Sequence, residues 1–91
     1  MTVYISPNPG KPMAYGISQR AAQILMAHGA KVLMQMNLRE ECNTMGVQFL
    51  PQKECLEKTD VILTIGGDGT ILHEANLSLE YHKPILGINL G

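Results

Sequence analysis

The chain contains no tryptophan and one phenylalanine, and aromatic residues fill 4% of its 91 positions. Its core must therefore come from aliphatic side chains and from six methionines, which adapt to irregular gaps. Cysteine is also scarce. Cys42 and Cys55 show neither metal-ligand spacing nor the spacing of a redox pair, so free thiols in a reducing compartment are expected. Charged residues make up 16%, with seven basic against eight acidic side chains and a formal net charge of −1. The basic residues are scattered, which argues against a nucleic-acid groove and against a polybasic membrane patch. No apolar run approaches a bilayer-spanning length. The N-terminus lacks the charged-then-apolar plan of a signal peptide, so a cytoplasmic location is expected.

What is present is a 45% hydrophobic composition on a length that suits one small domain, residues 1–91. A chain this short keeps a high surface-to-volume ratio, so its core is expected to lean on a partner surface. There are no repeats, linkers or low-complexity tracts. The stretch TVYIS (residues 2–6) reads as a strand, and PNPGKP as the loop that follows it. Ile17, Ala21, Ile24 and Leu25 recur at helical spacing, and Gly29 reads as their C-terminal stop. A second strand is expected over 30–36. A short helix is expected over 37–46, with Asn37 as N-cap and Gly46 as its end. A short strand over 47–50 and a polar helical turn or loop, QKECLEKT, come next.

Residues 60–65 form the best strand candidate, an unbroken apolar run of the kind found in parallel sheets covered on both faces. Ile71, Leu72, Ala75 and Leu79 then line one face of a helix that begins near Thr70. YHKP ends that helix, because the residue before a proline resists the α conformation. A final strand is expected over 85–88. Strands alternating with helices predict an α/β fold, Rossmann-like, with a mainly parallel sheet. Such sheets bind ligands outside the carboxyl ends of their strands.

GGDGT, residues 66–70, stands at such an end. Gly66, Gly67 and Gly69 allow a sharp turn and the close approach of phosphate oxygens to backbone N–H groups. The N-terminus of the next helix also favours an anion, and Thr70 can donate to a phosphate or cap the helix. Neither GxxxxGK[ST] nor GxGxxG is present. Asp68 does not suit a phosphate cradle by itself, since a carboxylate repels phosphate. It suits a cradle where a proton or a divalent cation must be handled, as general base or as neighbour of a magnesium ion. The same residues also read as ordinary turn chemistry, with Asp as a helix cap. His73, one helical turn after Gly69, can lean back toward the cleft or stand as a solvated surface residue. Asn8 and Lys11 read as turn residues of the first loop.

At these residues the chain resembles the NAD kinase family. GGDGTILHEA looks like that family's GGDGT motif, and GINLG is similar to the start of its second glycine-containing stretch. GGDGT is shared with diacylglycerol and sphingosine kinases, and a related form occurs in phosphofructokinases. In the lipid kinases an Asn-Glu pair usually continues the motif, where this chain has His73-Glu74 after Ile71-Leu72. The resemblance implies phosphoryl transfer from ATP or inorganic polyphosphate to the 2′-hydroxyl of the adenosine ribose of NAD, giving NADP, with a divalent cation such as Mg2+. It implies Asp68 as proton acceptor, and Asp68, Gly69 and His73 as contacts to NAD. It also implies a second, β-rich domain with further NAD contacts, and homo-oligomers. The chain covers only the N-terminal α/β portion of that pattern, so the 91 residues are expected to be inactive alone. Two other readings stay open here: part of a lipid or sugar kinase, and a non-catalytic α/β interaction module.

Overall fold

Strand β1 (Thr2–Pro7) runs through the middle of the sheet, and its alternating side chains serve two cores. In this computed structural model, which describes residues 1–90, it is followed by α1 (Pro12–Ala27), β2 (Lys31–Gln35), β3 (Gln48–Leu50), α2 (Gln52–Lys58), β4 (Val61–Gly66), α3 (Asp68–Tyr81) and β5 (Ile85–Asn89). The strands form one sheet in the order β3-β2-β1-β4-β5, and every neighbouring pair is parallel. The α/β, mainly parallel fold expected from the alternation of elements is therefore present.

Val3 and Ile5 of β1 pack with Val32, Met34, Ile65 and the α1 residues Ala14 and Ala22 on one face. Tyr4 packs with Leu33, Ile62, Cys55 and Leu56 on the other, joined by Leu77 and Tyr81 of α3. This is the period-two alternation of a strand whose two sides are both buried. Small residues on α1, namely Ala14, Ser18 and Ala22, let that helix lie close to the sheet. Cys42 and Cys55 are free, buried, and belong to different cores. Burial lifts the Cys55 thiol to about 11, so at neutral pH it behaves as a small apolar group.

Several expectations need correction. Residues 37–46 do not form an α-helix: a 3-10 turn (Met36–Leu38) leads into irregular turns that seat Cys42 in the core. Asn37 caps nothing, and Gly46 takes a positive φ of 95° beside Met26. The segment QKECLEKT supplies the helix α2, whose Cys55 and Leu56 are core residues. Helix α3 begins at Asp68, and its inner face is carried by Ile71, Glu74, Leu77 and Tyr81, while Leu72 and Leu79 are 72% and 75% exposed. On α1, Ile24 is also exposed, whereas Ile17, Ala21 and Leu25 pack against the core.

Candidate functional site

The sheet changes direction between β1 and β4. From β1 the chain leads to α1 on one face, and from β4 to α3 on the other, so their carboxyl ends diverge and leave a crevice. The loop after β1 forms one wall. Asn8 N–H donates to the Ile65 carbonyl at 2.8 Å, and Gly10 N–H donates to Asn8 Oδ1 at 2.9 Å. Lys11 then precedes Pro12, which opens α1 in the position where a missing N–H costs nothing.

The glycine turn forms the other wall, and its glycines serve space more than backbone conformation. None of the three has a positive φ; among the described glycines, only Gly29 and Gly46 do. At Gly66 an added Cβ would stand 2.6 Å from Thr70 Oγ1 and 2.7 Å from Asn8 Cβ. A side chain there would push the two walls apart. A Cβ added at Gly67 would stand 3.7 Å from Lys11 Cε and 4.0 Å from its Nζ, so a lysine from the first loop overlies the turn. A Cβ added at Gly69 would meet no neighbouring side chain or distant backbone within 4 Å, which leaves its surface open to a ligand.

Helix α3 has Gly67 at its N-cap and no side-chain cap. Asp68 is the first helical residue, so the capping role that its residue type allowed is not the one it fills. Its carboxylate instead accepts a hydrogen bond from Asn89 Nδ2 at 3.1 Å. Asn89 is delivered by register, because Gly66 and Asn89 are partners in the β4–β5 ladder. The uncapped helix end retains its preference for an anion.

Gly69, Thr70, His73 and Glu74 face Ser6, Pro7, Asn8 and Pro9 across a cavity of about 210 Å³. The structure thus gathers Gly69, Thr70 and His73 with Asn8, and places Asp68 on the β5 side of the same helix end. His73 also lines a second cavity of about 190 Å³, bounded by Gln35, Asn37, Leu38 and Gln52. Asn8 and Lys11, read from sequence as turn residues, both abut the glycine turn. Glu74 was missed altogether. It is 3% exposed and accepts a 2.7 Å hydrogen bond from Ser6 Oγ. A carboxylate amid the inward spacing of Ile71, Leu77 and Tyr81 was its signal in the sequence. Tyr4 lies nearby, with its hydroxyl pushed up by burial and held by the Gln35 and Gln52 amides.

A parallel sheet with an uncapped helix and a glycine turn at its switch point has the architecture of a phosphate- or nucleotide-binding domain. The family model of the ATP-NAD kinase N-terminal domain matches residues 3–91, and the chain belongs to the NAD kinase family. It is similar to the NAD kinase of Methanothermobacter thermautotrophicus, 40% identical over 84 residues, covering 86% of this chain and 27% of the relative. The NAD kinase of Methanopyrus kandleri is 35% identical over 81 residues, with the same shares. That of Heliobacterium modesticaldum is 31% identical over 90 residues, covering 99% of this chain and 31% of the relative. The chain thus spans under a third of the length of these relatives. The fold is also that of yeast NADH kinase, solved in complex with NADH, with a TM-score of 0.73 and 23% identity over 100% of this chain and 31% of that one.

Proposed function

We propose that this chain forms the phosphate- and proton-handling side of an NAD kinase, which transfers a phosphoryl group from ATP or polyphosphate to the 2′-hydroxyl of the adenosine ribose of NAD. The observation that carries the reading is Asp68, the first residue of an uncapped helix, held by Asn89 beside the open surface of Gly69. Asp68 takes the hydroxyl proton, and the 2′-oxygen attacks the terminal phosphorus. The bond from that phosphorus to its bridging oxygen breaks, and ADP or a shortened polyphosphate leaves. Gly69 and the amide end of α3 accept phosphate, the Lys11 ammonium over Gly67 offsets its charge, and His73 holds NAD. Gly66, Gly67 and Thr70 give the turn its shape.

Among the described residues, no three His, Cys, Asp or Glu side chains gather into a group able to hold a metal. Mg2+ usually rests on one or two carboxylates together with substrate phosphates, and Asp68 fits that modest demand. When bound, the ion neutralises phosphate charge. Two free buried thiols agree with a cytoplasmic site of action, and no described helix is long and apolar enough to cross a membrane. Apolar residues left open on β5 agree with a homo-oligomer or a further domain. The test is NADP formation by the full-length protein that carries this chain, supplied with NAD, Mg2+ and either ATP or polyphosphate. A product phosphorylated at the adenosine 2′ position is expected. Consumption of donor without that product would contradict the reading.

A further inference from the structure

Glu74 is buried, yet only one of its two oxygens is satisfied. Oε1 accepts from Ser6 Oγ, while Oε2 is enclosed and has no hydrogen-bond partner. A buried polar atom left in this state is unfavourable unless something else supplies a donor. Glu74 lines both cavities, and Ser6, Pro7, Pro9 and His73 are common to them as well. The second cavity adds three amides, Gln35, Asn37 and Gln52, together with Leu38, and no further charged side chain. Each cavity is smaller than the roughly 300 Å³ of a drug-sized pocket, which suits a single sugar ring.

A carboxylate oxygen accepts hydrogen bonds and repels phosphate. The missing partner therefore carries hydroxyl or N–H groups. Its place along the ligand follows from the strand order. Asp68 meets Asn89 on β5, and Glu74 meets Ser6 on β1, and these strands lie on opposite sides of β4. Strand β4, which ends in the phosphate turn, thus lies between the partners of the two carboxylates. If the accepting ribose occupies the Asp68 side, with another part of NAD reaching His73 at the cavity border, the group on the Glu74 side is joined to the transferred phosphate from the opposite direction.

We infer that Glu74, with Ser6 as its anchor, is a subsite for the ribose hydroxyls of a nucleoside triphosphate phosphate donor. This deepens the kinase reading and rests on it. Polyphosphate has no hydroxyl to offer, so the subsite favours the nucleotide as donor.

The test compares ATP with 2′,3′-dideoxy-ATP by calorimetric titration of the full-length protein, with tripolyphosphate as a third probe. Hydrogen bonds to a charged group contribute about 1.5–3 kcal/mol, so ATP should bind at least roughly tenfold more tightly than the dideoxy compound. Glu74→Gln should narrow that ratio and leave tripolyphosphate binding unchanged. Equal binding of ATP and dideoxy-ATP by the wild-type protein would overturn the inference, and so would an unchanged ratio in E74Q. The wild-type comparison needs no variant, so a poorly folded E74Q leaves the test standing. Failure of the kinase reading is distinct: hydroxyl-dependent ATP binding without NADP formation would reject that reading while the ribose subsite itself persists.

Discussion

The two edges of the sheet are finished differently. At one edge β3 is three residues long, and Arg39 stacks over Phe49 with its guanidinium carbon 5.7 Å from the ring centre. Irregular turns lead into it, and the next strand, β2, is buried at Val32, Leu33 and Met34. At the other edge β5 is five residues long and leaves Leu86 and Ile88 62% and 39% exposed. Helix α1 covers β1, β2 and β4 but leaves that face of β5 open. Short or covered edges resist unwanted pairing, whereas long apolar ones invite a partner. The open edge is also the one that brings Asn89 to Asp68. Structural closure and the Asp68–Asn89 pair are thus on different sides of the molecule, and the side that holds the pair is the one still able to receive another surface.

The largest effect should come from breaking the closed side. Met34→Ala removes a fully buried side chain and should cost about 2–5 kcal/mol, read as a lower denaturant midpoint. A loss under 1 kcal/mol would mean that this edge is not the rigid one. Next comes the glycine turn. Gly66→Ala forces a methyl against Thr70 and Asn8, and overpacking of this kind costs about 1–3 kcal/mol. Gly69→Ala meets no atom, so it should leave the melting temperature near wild type while weakening ligand binding. Equal thermal shifts for the two would erase the distinction between packed and open glycines.

Kinetics sharpen the reactive side. His73 lines the cavity but stands farther along the helix than Asp68, so His73→Ala should raise KM for NAD and largely spare kcat. A fall in kcat at constant KM would move His73 into the chemistry. The smallest change in stability belongs to the open edge. Leu86→Ser should alter stability by no more than about 0.5 kcal/mol, as surface changes usually do. It should nonetheless reduce self-association of residues 1–91 in light scattering. Unchanged association would mean that the β5 face is not the sticky surface.

Much of this was legible in the sequence because local signals agreed with the tertiary arrangement. The apolar run before GGDGT is the strand β4, paired on both sides, and the glycine turn lies at its carboxyl end. The misread parts depended on contacts across the fold. Residues 37–46 carry helical signals, yet the need to bury Cys42 and to reach β3 over a short distance favours turns. Leu72 and Leu79 looked like core because spacing alone cannot reveal which helical face meets the sheet. The inward spacing of Glu74 was readable, but its burial makes sense only once Ser6, distant in sequence, is seen to donate to it. The register that delivers Asn89 likewise exists only after β4 and β5 pair.

The central claim is that Asp68 takes the proton from the hydroxyl that is phosphorylated. The most direct measurement is kcat for NADP formation by Asp68→Asn in the full-length protein, at saturating NAD and donor, beside a circular dichroism spectrum. Asn is nearly the same size and can still meet Asn89 through its amide oxygen, but it cannot accept the proton. With the fold unchanged, kcat should fall by about 10²–10⁴-fold, the usual contribution of a positioned general base. Turnover within a few-fold of wild type, with the same fold, would contradict the account.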